Sequence, residues 1–389
     1  MENFVFYTPT KMIFGKDTHR QVGDIIKGYG YHKILLHYGG GSIKRTGLYN
    51  EVTDSLQKAD ISFVELGGVQ PNPKLSLVKE GIELCRSEQV ELILAVGGGS
   101  VMDSAKLMAS GALYEGDPWD FSSKKESPKA ALPVGTIVTL SASGSEMSSS
   151  AVITNEEGWL KRGFNSDWNR PLFSICNPEL TYTLPPYQTA CGIVDIMMHT
   201  LERYFSNSPD TGLTDRIAEG LLKSVIQAGK KAMEDSQDYE ARATLMWAGS
   251  LSHNDLTGVG RKVFMVCHQI EHEISGLFDS VAHGAGLAVV FPAWAKYVYK
   301  SNPQRFAQFA ARVWNVEFAD LEAMALDGIL ETEQFFRSIG MPVRLSELGI
   351  GSDSFDELSE KCTYWGERTL PGFVELGKEE IIEVLELAK

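Results

Sequence analysis

From about residue 30 to about residue 180, short β-branched apolar runs alternate with stretches whose apolar residues recur roughly one helical turn apart. The runs at 33–38, 61–66, 90–96, 135–139 and 173–176 predict strands, and the stretches at 46–58 and 75–88 predict helices. Strands that alternate with helices imply a parallel sheet covered by helices. Past Leu184-Pro185-Pro186 the pattern changes to long segments of helical period, rich in Ala, Leu, Glu and Lys. Proline opens helices well and disfavours helix in the residue before it, so this pair marks the expected boundary. The reading is an α/β domain with a parallel sheet over residues 1–184 and an all-α domain over residues 185–389.

Composition narrows the function. A chain of 389 residues exceeds what one core of ordinary size needs, and 43% hydrophobic with 22% charged residues is ordinary for globular proteins. A formal net charge of −15 disfavours phosphate backbones and anionic membrane surfaces, so nucleic acid is not an expected partner. Cys85, Cys176, Cys191, Cys267 and Cys362 are scattered, form no CxxC pair and read as reduced core thiols. Met1-Glu2-Asn3-Phe4 lacks the basic-then-apolar pattern of a secretory leader, and no run approaches the ~18 apolar residues of a membrane span. A cytoplasmic location with no membrane partner is the expectation.

Two glycine runs carry candidate chemistry. Val96-Gly97-Gly98-Gly99-Ser100-Val101-Met102-Asp103 follows an apolar strand and opens a helix. Glycines there let the backbone approach a pyrophosphate, and the N–H groups and dipole of the helix start favour its charge. An unliganded tight turn is an equal reading of a triple glycine alone, and the run fits neither GxGxxG nor a Walker loop. The second run, Tyr38-Gly39-Gly40-Gly41-Ser42-Ile43-Lys44-Arg45, ends the first strand where many dinucleotide folds place an acid on the adenosine ribose. It contains no acid. Gly40, Gly41 and Ser42 offer donors with Lys44 nearby, which leans towards NADP(H) over NAD(H); a plain solvated loop is the alternative.

Five of the eight histidines, His199, His253, His268, His272 and His283, fall in one stretch of the helical half. Asp195 and His199 stand at i and i+4, so both face one side of a helix; His268 and His272 repeat the spacing, and His283 precedes Gly284-Ala285-Gly286 at a helix start. Imidazole and carboxylate suit zinc or ferrous iron. Spacing alone fits a hydrogen-bonded pair as readily as a pair of ligands, and His253 has nothing to fix its direction. His268-Gln269-Ile270-Glu271-His272 also matches the HxxEH pattern of a class of zinc peptidases, a reading that leaves Asp195, His199 and both glycine runs unused.

Taken together, these blocks resemble the iron-containing, group III alcohol dehydrogenases, and within them the butanol dehydrogenase-like branch. The likeness covers essentially the whole chain: the two glycine runs, Pro71-Asn72-Pro73, Asp117-Pro118-Trp119-Asp120, Ser143-Gly144-Ser145-Glu146, Asn177-Pro178, Gly192 to His199 and His268 to Gly286, in the family's order. Where many relatives have Thr-Gly-Ser-Glu, this chain has Ser143, which keeps the hydroxyl. The resemblance implies a dehydroquinate synthase-like fold, with metal and nicotinamide meeting in a cleft between the two domains. It implies one divalent metal, Fe2+ or Zn2+, held by Asp195, His199, His268 and His283, with His272 near the nicotinamide and substrate and Glu271 without a role. For the dinucleotide it implies Gly40, Gly41 and Ser42 at the adenosine end, Asn72 beside it, and Gly97, Gly98, Gly99 and Ser100 at the pyrophosphate. Asp103, Thr139, Ser143 and Lys161 would lie nearer the ribose and nicotinamide, with Leu180 packed against the cofactor. A homo-oligomer, a dimer, is also implied.

The activity so implied is reversible hydride transfer between NAD(P)(H) and a small primary alcohol or aldehyde. A cyclising lyase of the dehydroquinate synthase type is one alternative; it would need cationic groups for a phosphorylated, carboxylated substrate, and no basic cluster stands beside the histidines. The HxxEH metallohydrolase is the other, and it would not bind nicotinamide.

Overall fold

The computed structural model describes residues 1–317 and 319–389, and eight strands form among them. They are β1 (Lys11–Phe14), β2 (Lys33–Gly39), β3 (Ser62–Val69), β4 (Leu92–Gly97), β5 (Val134–Val138), β6 (Ser150–Asn155), β7 (Leu160–Asn165) and β8 (Phe173–Cys176). Six join one parallel sheet in the order β1-β8-β5-β4-β2-β3, and β6 and β7 form a separate antiparallel hairpin. Every residue of β4 is buried, as expected for a central parallel strand covered on both faces. Alternate side chains feed two cores: Ile93 and Ala95 pack in one with Leu35, while Leu92, Leu94 and Val96 pack in the other with Ile34 and Leu36. Helices Leu48–Lys58 and Leu75–Ser87 return the chain between strands, close to where the apolar period places them.

Chain contacts divide the molecule into two units. The α/β unit takes Tyr7–Leu184 together with Gln237–Ser250, a stretch whose pattern alone assigns it to the helical half. The second unit takes Met1–Phe6, Pro185–Ser236 and Leu251–Lys389.

Within the α/β unit, β2, β4 and β5 run side by side and parallel, with Tyr38 opposite Val96 and Gly97 opposite Val138. The glycine runs therefore leave the same edge of the sheet, at the carboxyl ends of adjacent strands. Asn72 follows β3, Thr139 follows β5 and Leu180 follows β8, all at that edge. Open parallel sheets bind their ligands there.

The second unit is helical. Pro186 opens the 19-residue helix Pro186–Tyr204, as the Pro-Pro signal predicts, and this helix is buried from Thr189 to Tyr204. Helix His283–Val298 packs against it so closely that a Cβ on Gly284 would lie 2.2 Å from the Cys191 carbonyl oxygen. A Cβ on Gly286 would lie 2.7 Å from Glu271 Cγ on helix Val266–Leu277. The two glycines after His283 thus let three helices converge. Elsewhere in the unit a buried ion cluster ties helices together: Asp215 accepts from Arg261 at 2.9 Å and from both terminal nitrogens of Arg305 at 2.7 and 2.8 Å. Among the described residues no helix is long and apolar enough to cross a membrane.

Candidate functional site

Asp195 and His199 lie one turn apart on helix Pro186–Tyr204, His268 near the start of helix Val266–Leu277, and His283 at the first position of helix His283–Val298. Asp195 Oδ1 lies 3.3 Å from His199 Nδ1, 3.6 Å from His268 Nε2 and 3.7 Å from His283 Nε2. Ligands held at about 2.1 Å in a tetrahedron are about 3.4 Å apart, so these spacings fit one small ion at their centre. Asp195, His199 and His268 are buried, with donor atoms within 4.8 Å of one another. Asp195 Oδ1, His199 Nδ1 and His268 Nε2 are shielded from solvent without a hydrogen-bond partner. Buried polar atoms left unpaired are costly, and three aimed at one point are accounted for by a cation between them.

The charge state agrees. Burial, with the neighbouring His253 and His268 imidazoles, holds His199 well below the ordinary histidine value, leaving a neutral ring able to coordinate. For His268, burial pulls downward, but Glu202 and Asp195 outweigh it and raise the ring to about 9. A site that draws a proton between two carboxylates draws a divalent cation more strongly.

Two further carboxylates complete the arrangement. Glu202 accepts from Nδ1 of His268 and from the backbone N–H groups of Cys267 at 2.6 Å and His268 at 3.2 Å. Glu271, fully buried, accepts from Nδ1 of His283. With Nδ1 so engaged, Nε2 is the nitrogen of each ring that faces Asp195 and coordinates once a cation displaces any proton there. The sequence reading gives Glu271 no role and passes over Glu202; the structure places both on the imidazoles. A signal for Glu202 exists, because Asp195, His199 and Glu202 stand at i, i+4 and i+7 on one helix face. The HxxEH reading needs His268 and His272 to share a metal, whereas His268 Nε2 faces Asp195 and Glu271 Oε2 engages His283. His272 lies outside the Asp195 set, its ring 5.4 Å from that of His283. The His253 ring lies tilted against that of His199, with centroids 3.9 Å apart.

In the α/β unit, helix Gly99–Ala112 begins without any side-chain cap, so its first N–H groups are not taken by a capping side chain. A Cβ on Gly99 would lie 2.4 Å from Ser143 Oγ, and one on Gly98 3.2 Å from Leu140 Cβ. Glycine thus allows the loop carrying Ser143 to close on the helix start, and Thr139 donates to Gly97 at 3.0 Å. Ser100 sits in the first turn. Asp103 is half-buried and accepts from Ser145 Oγ at 2.6 Å and from the Val152 N–H at 3.0 Å, so both its oxygens fasten this loop and the hairpin. Lys161 is buried on β7. Lys106, one turn after Asp103, is a buried group the sequence reading missed; burial pushes it down to about 8, and it donates to the Ser148 and Ser150 carbonyls. Asn72 is buried with φ 56°, and Leu180 packs on the core of Leu36 and Val96.

At the other glycine run, Gly41 adopts φ 109° and starts the short turn Ser42–Arg45, while Gly40 has open space around it. The run itself contains no acid, but β3 supplies one. Glu65 Oε2 lies 3.8 Å from Lys44 Nζ and accepts from Tyr38 at 2.7 Å and Tyr49 at 3.2 Å.

Comparison with known proteins settles the family. Residues 9–178 match the family described as iron-containing alcohol dehydrogenase, and residues 189–388 match its C-terminal part. The chain belongs to the iron-containing alcohol dehydrogenase family. It is 42% identical over 386 residues, 99% of each chain, to NADH-dependent butanol dehydrogenase A of Clostridium acetobutylicum. It is 36% identical over 369 residues, 94% of each, to an NADPH-dependent aldehyde reductase of Escherichia coli. The crystal structure of NADH-dependent butanol dehydrogenase A from Thermotoga maritima superposes with a TM-score of 0.96 at 43% identity, covering 100% of this chain and 99% of that one. As a member of this family the chain is an NAD(P)-dependent oxidoreductase of alcohols and aldehydes, butanol dehydrogenase-like.

Proposed function

We propose that this alcohol dehydrogenase transfers hydride reversibly between a nicotinamide dinucleotide and a small primary alcohol or aldehyde, at one divalent metal held by Asp195, His199, His268 and His283. The observation that carries the site is Asp195 Oδ1, buried and unbonded, with three imidazole nitrogens 3.3 to 3.7 Å away. When bound, Fe2+ or Zn2+ supplies Lewis acidity for the substrate oxygen, and the dinucleotide supplies or accepts the hydride. The remaining work falls to the chain. Glu202 and Glu271 accept from Nδ1 of His268 and His283 and so turn the Nε2 edge of each ring towards Asp195. The uncapped start of helix Gly99–Ala112 receives the pyrophosphate, and Asp103 keeps the Ser143 loop against it. His272, only partly buried beside His283, holds and passes the proton exchanged with solvent.

The dinucleotide is proposed as NADP(H) ahead of NAD(H), on the donors of Gly40, Gly41 and Ser42 and the cations that follow them. Ratios of kcat/KM for NADPH and NADH test this, and a strong NADH preference would reject it. A homodimer in the cytoplasm completes the reading, the dimer being checked by light scattering. For the site itself, His268→Ala should lose both metal and aldehyde reduction; a variant that keeps its metal and full turnover refutes the assignment.

A further inference from the structure

Lys44 and Arg45 are adjacent in the chain, and both follow the glycine run proposed for the adenosine ribose. We propose that Arg45, and not Lys44, is the residue that recognises a ribose 2′-phosphate, the Lys44 ammonium being already engaged by Glu65 and two tyrosines. The inference rests on the reading that a dinucleotide lies along the carboxyl edge of β2 and β4.

Lys44 is held on three sides. Its ammonium sits 4.9 Å from the centre of the Tyr38 ring and 4.7 Å from that of Tyr49, with Glu65 Oε2 at 3.8 Å. The two rings meet edge-on at 5.8 Å, and both phenols donate to the same Glu65 oxygen. Glu65 is therefore fixed, and fixed where it neutralises Lys44. Gly67 permits this box, since a Cβ there would lie 2.4 Å from Tyr38 Cε2. Its contact with Tyr38 raises the lysine's affinity for its proton, so it stays cationic. A phosphate dianion approaching Lys44 would have to displace these contacts and lie beside a carboxylate.

Arg45 differs in its partners. Both cations are exposed, but no described residue forms an ion pair or hydrogen bond with the Arg45 guanidinium. Its Nη1 lies 3.7 Å from where a Cβ on Gly41 would stand, so the guanidinium reaches back over the glycine whose left-handed conformation shapes the loop. A planar fork of donors is well matched to phosphate oxygens, and a guanidinium is always charged. The structure thus separates two cations that sequence makes equivalent: one is a strut between β2, β3 and the following helix, the other is open to ligand.

The test measures equilibrium binding of NADPH and NADH by nicotinamide fluorescence, and of 2′,5′-ADP against 5′-AMP by competition, for wild type, Arg45→Ala, Arg45→Lys, Lys44→Ala and Glu65→Gln. Losing one charge-assisted phosphate contact should lower the NADPH-to-NADH affinity ratio roughly tenfold in R45A, with partial rescue in R45K. K44A should leave that ratio near wild type. E65Q, which frees Lys44, should raise it several-fold, on the order expected for relieving one exposed like charge. A ratio that falls in K44A and not in R45A overturns the proposal, as does a ratio that neither variant changes. Wild-type protein that binds neither dinucleotide would instead overturn the functional reading on which the proposal stands.

Discussion

Glu202 binds His268 twice: its carboxylate accepts from Nδ1 of the ring and, at 3.2 Å, from the backbone N–H of the same residue. With the Cys267 N–H at 2.6 Å, it occupies donors in the first turn of helix Val266–Leu277 and belongs itself to helix Pro186–Tyr204. One buried side chain therefore fixes the orientation of a ligand ring and the position of the helix that carries it.

Replacing that carboxylate should weaken the metal site without removing a ligand. Glu202→Gln keeps an acceptor of the same size but gives up the charge that strengthens His268 Nε2 as a metal ligand. Metal affinity measured by competition with a chromophoric chelator should fall about 10–100-fold, and Glu271→Gln should act similarly through His283. Affinity equal to wild type in both would show that these contacts are passive packing.

Gly284 makes a separate prediction about how the ligand helices meet. An alanine methyl at this position would lie 2.2 Å from the Cys191 carbonyl oxygen, a backbone atom that cannot swing aside. The helices must part, which costs about 1–3 kcal/mol in a close-packed interior and carries His283 away from Asp195. Thermal unfolding of G284A should begin earlier, and its metal affinity should fall with it. An unchanged melting temperature would mean the contact relaxes without cost.

Much of this was legible in the chain before the fold was known. The five strand runs become β2, β3, β4, β5 and β8 within a few residues, because central parallel strands are continuous apolar runs. The strands that escaped, β1, β6 and β7, carry Lys11, Thr154, Lys161 and Arg162 and lie at the edge of the sheet or outside it, where no such run is required. Asp195, His199 and His268 showed through helical spacing. Glu65 could not, because it reaches Lys44 through the register of β2 against β3, in which Leu36 faces Glu65, and no local pattern encodes that pairing. Lys106 was hidden for a related reason: a lysine one turn after Asp103 reads as a solvated charge until the hairpin covers it.

The buried cluster at Asp215 gives the helical unit a pH dependence of definite sign. Burial alone would raise this carboxyl, but Arg305, Arg261 and Gln308 outweigh it and hold it at about 2, below the ordinary 3.8. A depressed carboxyl contributes its stabilisation fully above the unfolded value and loses it as pH falls towards the folded one. Asp215→Asn should therefore be less stable than wild type at neutral pH by about 3–5 kcal/mol, since Arg261 is left buried without its counter-charge. The difference should shrink between pH 4 and 2. Urea denaturation across that range reads both, and a gap that stays constant with pH would contradict the assignment.

The central claim is that one metal is held by three imidazoles and a carboxylate, and X-ray absorption at the edge of the bound metal tests it most directly. The bound metal should show a first shell of nitrogen and oxygen at about 2.0–2.2 Å, with the outer-shell scattering of three imidazole rings and no sulfur. Loss of one imidazole's scattering in His283→Ala would agree. A sulfur scatterer at about 2.3 Å, which would bring Cys191 or Cys267 into the site, or a first shell of oxygen alone, would contradict it.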